Sequence, residues 1–107
     1  MNEVRACVVM TTAPDTAHAE KIAKAVLEAR LAACAQLQAI TSYYWWDGKI
    51  NNDAEKLIYF KTTTDKYAEL EQAIVKLHPY DTPEIIHLPV DAGLDKYLAW
   101  IARETGG

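Results

Sequence analysis

A chain of 107 residues, 50% hydrophobic and 24% charged with only four glycines and four prolines, has the composition of one folded domain, not of a disordered segment or a linked pair. Its formal charge of −4 lacks the basic footprint of a phosphate-backbone binder, which sets nucleic acid aside as a partner. The opening MNEVRACVVMTTAPD carries an acid where a signal sequence needs basic residues, and its apolar run is too short for a membrane span. The expected compartment is therefore the cytoplasm, with no membrane partner.

In chain order, EVRACVVMTT reads as a strand covered on both faces, ended by APD. Cys7 in this strand and Cys34 further on are the only cysteines; without a C-x-x-C they are expected to be reduced and buried. Asp15 then caps a helix from Thr16 to about Arg30, in which Ala19, Ile22, Ala23, Val26 and Ala29 recur at helical spacing. LAACAQLQAITSYYWW follows as an extended arm and meets Asp47-Gly48, a strong hairpin signal because a type I′ turn needs positive φ. The return arm KINNDAEKLIYFKTTT pairs with it antiparallel. Thr64 or Asp65 caps a second helix with Tyr67, Leu70, Ala73, Ile74 and Leu77 on one stripe, and Pro79 ends it after His78. PEIIHLPV is a short strand whose flanking Pro83 and Pro89 suit a sheet edge. Leu94, Tyr97, Leu98 and Ile101 mark a terminal helix before a frayed ETGG. The order βαββαβ plus a helix predicts an α+β, ferredoxin-like sandwich: one antiparallel sheet with helices on one face.

The hairpin raises a question of cover. An arm extended from Ala32 to Trp46 spans roughly 50 Å at 3.3 Å per residue, whereas a compact domain of this size is about 34 Å across. The hairpin is thus expected to overhang its own domain. Its tip carries Tyr43, Tyr44, Trp45, Trp46 and Ile50, and successive residues of a strand point to opposite faces, so an isolated ribbon exposes aromatic rings on both sides. Another subunit is the expected cover, making these five residues an oligomer interface. The alternative is a bulge that folds the hairpin back over the open face of its own sheet.

Chemistry-bearing residues are sparse. His18 is expected to be solvated and His87 structural. HPYDTPEII gathers His78, Tyr80, Asp81 and Glu84 in irregular chain stiffened by Pro79 and Pro83, where imidazole and carboxylate suit a divalent metal such as Cu²⁺ or Zn²⁺; helix capping and turn hydrogen bonds account for the same residues. The chain has no nucleophile elbow, phosphate loop, dinucleotide fingerprint or H-E-x-x-H, and is not expected to be an enzyme. Acylphosphatases share the element order but need a glycine-rich anion loop with an arginine, and RNA-recognition domains need aromatic residues on central strands, which ACVVMTT lacks.

TTAPD, LAACAQ, SYYWWDGKI, KTT, HPYDTPEII and YLAWI occur in an order, and over nearly the whole length, that resembles the CutA family of divalent-cation-tolerance proteins. The resemblance implies a cytoplasmic homotrimer of ferredoxin-like subunits, PII-like in arrangement, with long hairpins exchanging edges and a link to copper tolerance. Copper ligands attributed to some members are a cysteine before TAPD and a histidine pair opening HPY; the matching positions are Thr11, Leu77 and His78, of which only His78 is a ligand type. The reading is a trimeric, non-catalytic binding or regulatory protein. Its metal residues would be His78 and Glu84, holding copper or another divalent cation weakly, and its ligand cleft would lie between subunits at Tyr80 and Asp81. Direct copper binding and a docking platform for other proteins are the alternatives.

Overall fold

The computed structural model describes residues 4–106. Strand β1 (Ala6–Ala13) leads to helix α1 (Thr16–Glu28), the hairpin β2 (Cys34–Trp46) and β3 (Lys49–Thr63), helix α2 (Tyr67–Leu77), strand β4 (Ile85–Pro89) and helix α3 (Asp95–Glu104). The four strands form one sheet in the order β2-β3-β1-β4, every neighbouring pair antiparallel, which is the ferredoxin-like arrangement the element order predicts. β4 pairs only with β1 and lies at an edge, as its flanking prolines require.

Residues facing one another across a ladder share a face, so the register sorts the sheet into two sides. Val9 faces Phe60, Phe60 faces Ala35, and Thr11 faces Ile58. This side meets the helices: Ile22 and Val26 of α1 and Leu70 and Ile74 of α2 join Val9, Ile58 and Phe60 in one core whose members are fully buried. The other side, away from α1 and α2, carries Val8, Met10, Tyr59, Ile86 and Leu88, and helix α3 lies against β1 and β3; Ile86 is 45% and Leu88 43% exposed.

Several element ends differ from expectation for local reasons. Glu3, the expected start of β1, lies outside the described residues; the strand itself begins at Ala6. Helix α1 stops at Glu28 rather than Arg30, because Arg30 adopts φ 60° while its N–H donates to Leu27 O at 3.0 Å and the Leu31 N–H to Val26 O at 3.1 Å. That is a Schellman closure with arginine where glycine is usual. Arg30 is held there from a distance, its guanidinium donating to Glu104 Oε1 at 3.0 Å and Glu104 O at 3.2 Å. A single 3-10 turn, Thr64–Lys66, precedes α2, so neither Thr64 nor Asp65 caps the α-helix. The chain end is tied down through residue 105, not frayed: Thr105 is 1% exposed and its hydroxyl donates to Ile101 O at 3.0 Å. Both cysteines are free, but Cys34 is only half-buried; Cys7 is buried, and burial pushes its thiol up to about 11.

The hairpin is straight. Pairing runs without interruption from Cys34↔Lys61 to Trp46↔Lys49, so no bulge turns it back over its own sheet. Asp47 at φ 53° and Gly48 at φ 74° make the turn with two left-handed residues, as a type I′ hairpin demands. β2 begins two residues later than Ala32, but the overhang remains: β1 ends with Ala13 opposite Lys56, so Ile40–Trp46 and Lys49–Glu55 pair only with each other. This free ribbon is roughly 23 Å long, and the longest dimension of the molecule is 43 Å against 26 and 25 Å for the others.

Candidate functional site

The segment after α2 is placed by His78. A residue before proline is driven out of the helical region, and His78 accordingly caps α2 in extended backbone at φ −79°, ψ 136°. Its ring turns inward and is 9% exposed. The Tyr80 N–H donates to His78 Nδ1 at 3.1 Å, which leaves the ring proton on Nε2, donating to Thr12 O at 2.5 Å. The imidazole therefore pins the loop to the end of β1, and the one lone pair with which it would bind a metal is already taken. Thr11, beside it in sequence, points the other way: its hydroxyl is buried and has no partner among the described residues. Leu77 packs against the core. These three positions do not form a ligand set, and among the described residues no three His, Cys, Asp or Glu side chains converge as a metal site would require.

What the pinned loop does is build one wall of a cleft. The opposite wall is the ribbon face bearing Tyr44, Trp46 and Glu55; the loop contributes Tyr80, Asp81, Thr82 and Glu84, and Thr12 lies at the end of β1. The space measures about 370 Å³. Tyr80 Oη donates to Glu55 Oε2 at 3.0 Å, bridging loop and ribbon. Tyr44 Oη donates to Asp53 Oδ2, diagonally across the hairpin. Both phenols are held protonated. Burial first, then the hydrogen bond to Glu55 and the surrounding negative charge, push Tyr80 up to about 12. Tyr44 is raised chiefly by its bond to Asp53. They serve as hydrogen-bond donors that fix carboxylates in place. Asp81 and Glu84 are exposed and make no side-chain hydrogen bond or ion pair among the described residues.

The residues singled out from sequence thus separate into three places. Tyr80, Asp81 and Glu84 line the cleft together with Tyr44 and Trp46, which were expected only at an interface. Tyr43, Trp45 and Ile50 lie on the opposite, helix-side face of the ribbon and are 73%, 72% and 62% exposed. His78 is behind the cleft, not in it. Glu55, Asp53 and Thr12 were not singled out, although the hairpin register places the first two on the face of Tyr44 once Asp47-Gly48 is accepted as the turn. The other histidines are local. His18 bonds Asp15 Oδ1 through Nδ1 at 2.8 Å, and the His87 ring meets that of Tyr67 edge-on at 5.4 Å.

The family model for the CutA1 divalent ion tolerance protein matches residues 7–104. The chain belongs to the CutA1 family. Among CutA relatives, the divalent-cation tolerance protein of Pyrococcus horikoshii is 46% identical over 98 residues, covering 92% of this chain and 96% of its own. That of Thermus thermophilus is 43% identical over 100 residues, covering 92% and 97%. Among solved structures, a CutA from Archaeoglobus fulgidus described as a periplasmic divalent cation tolerance protein superposes with a TM-score of 0.92 at 38% identity, covering 94% of this chain and 98% of its own. The Thermus thermophilus CutA structure gives 0.91 at 42% identity, covering 94% and 99%. The CutA architecture is therefore shared from β1 to α3. Among the described residues, no helix is long and apolar enough to cross a membrane.

Proposed function

We propose that the chain acts in divalent-cation tolerance as a homotrimeric, non-catalytic binding protein, PII-like in arrangement, whose ligand clefts lie where subunits meet. The names of its relatives support the tolerance role. The observation that carries the assembly is uncovered apolar surface on a straight ribbon: Tyr43, Trp45 and Ile50 are each more than 60% exposed, and Ile86 and Leu88 on the edge strand are partly exposed as well. A monomer in water gains nothing from that surface, whereas covering a large aromatic ring is worth about 2 kcal/mol. Two further copies of the chain, each offering the same surface, complete the cover by symmetry.

Any divalent ion in this reading is held weakly by Asp81 and Glu84, while His78 keeps the loop closed instead of supplying a ligand. The free thiols of Cys7 and Cys34 fit a reducing compartment, the cytoplasm, and cell fractionation separates this from a periplasmic location. Light scattering at low micromolar concentration should give about three times 12.0 kDa, and a monomer rejects the assembly. Calorimetric titration with Cu²⁺ should show weak binding that His78→Ala leaves in place but Asp81→Asn with Glu84→Gln removes. Tight, stoichiometric binding lost in His78→Ala would favour direct copper ligation through the imidazole instead.

A further inference from the structure

We propose that the cleft takes an organic cation carrying more than one ammonium or guanidinium group, of the size of a diamine or polyamine. This rests on the reading of the cleft as the ligand site and names the ligand's chemistry. The lining is acceptor-rich and anionic: Glu55, Asp81 and Glu84 contribute carboxylates, Asp53 stands beside them through Tyr44, and among the described residues no lysine, arginine or histidine lines the space. A ligand for such a surface must bring both positive charge and hydrogen-bond donors. Phosphates and other anions are repelled, and a neutral apolar ligand would desolvate Asp81 and Glu84 without pairing them.

The walls decide between a metal ion and an organic cation. A small divalent ion needs several oxygen ligands converging within its coordination sphere, and here the carboxylates are spread along two walls with no convergent trio among the described residues. Spread charge suits a ligand whose cationic groups are spaced by methylenes. The same lining includes three aromatic side chains, Tyr44, Trp46 and Tyr80, the side-chain type that attracts ammonium groups and gives apolar contact to the methylenes between them. The volume of about 370 Å³ is that of a small-molecule site. The phenol-to-carboxylate bonds of Tyr80 and Tyr44 hold two of the anionic groups ready in position, and each carboxylate retains acceptor sites beyond the one its phenol occupies.

The test titrates the full-length, assembled protein with spermidine at fixed ionic strength, followed by calorimetry and tryptophan fluorescence, with Mg²⁺ and 1,5-pentanediol as comparison ligands. Spermidine should saturate, pentanediol should not bind, and Mg²⁺ should not displace spermidine at equal ionic strength. Asp81→Asn with Glu84→Gln should weaken spermidine by about tenfold or more. Glu20→Gln with Glu28→Gln, which removes the same charge from the surface of α1, should change affinity by less than about twofold. Trp46→Leu should weaken it by about two- to fivefold through the lost ring. Absence of saturation, equal effects of the two charge-matched double variants, or full displacement by Mg²⁺ overturns the proposal. If Cu²⁺ binding responds to Asp81→Asn with Glu84→Gln while spermidine does not bind, the cleft reading stands and only the ligand class falls. If neither cation responds to those variants, the cleft reading falls with it.

Discussion

Strand β3 passes through two environments on one backbone. From Lys56 to Lys61 it is a central strand between β2 and β1, and Ile58 and Phe60 are fully buried under the helices. From Lys49 to Glu55 it has β2 alone for a neighbour, and Ile50 is 62% exposed. The backbone ladder to β2 is equally regular in both halves, so hydrogen bonding does not distinguish them. Side-chain cover does. The lower half carries the stability of the subunit; the upper half contributes ladder bonds and two differently equipped faces, and supplies surface for something else.

The comparison is broken most severely from below. Phe60→Ala should destabilise the subunit by about 3–5 kcal/mol in denaturant titration, because the ring has no solvent-facing position to relax into. Tyr43→Ser with Trp45→Ser, on the upper half, should leave the circular dichroism of the subunit intact. It should dissociate the assembly, with about 2 kcal/mol lost for each ring that a neighbour covers; an unchanged mass in light scattering would show that these rings are not at the interface. Trp45→Ser with Trp46→Ser should weaken assembly in the same direction while also lowering affinity at the cleft.

Smaller effects sharpen the border between the halves. Thr11→Val replaces a buried hydroxyl without a partner among the described residues by a methyl of similar shape, opposite Ile58. It should raise stability by about 1 kcal/mol, and a loss would mean that the hydroxyl is satisfied by an ordered water. Asp15, just past the end of β1, accepts from the His18 N–H at 2.8 Å and is lowered chiefly by that bond. A carboxylate lowered by folding contributes stability above its unfolded pKa and loses it as pH falls through the folded value. Asp15→Ala should therefore be less stable than the parent near neutrality and converge with it in strong acid, as read from melting temperatures across pH; parallel curves would remove the cap from the account.

Local chemistry made most of the fold legible. Asp47-Gly48 specifies its turn with two residues, and the apolar stripes of α1 and α2 need only helical spacing to be read. The arm length gave the overhang by arithmetic alone. What escaped depends on partners distant in sequence. Arg30 ends α1 in a left-handed conformation without glycine, and the groups that hold its side chain are on Glu104, 74 residues away. The His78 ring looks the same in sequence whether it serves a metal or the Thr12 carbonyl 66 residues back, and only the fold chooses. The candidate site was half legible for the same reason. Tyr80, Asp81 and Glu84 are neighbours in sequence, whereas Glu55 joins them only because the loop is folded against the ribbon.

The unbroken pairing from Cys34 to Trp46 makes the hairpin a counting device. Because faces alternate strictly, adding or removing one residue on both arms below the tip would exchange the roles of Tyr43 and Trp45 with those of Tyr44 and Trp46, sending the cleft's rings outward and the outer rings into the cleft. Changes in steps of two on both arms would lengthen or shorten the ribbon and keep each ring on its side. Each arm can thus change length only in steps of two without moving the rings, and parity, more than the identity of any one aromatic, keeps the cleft's rings apart from those of the outer face.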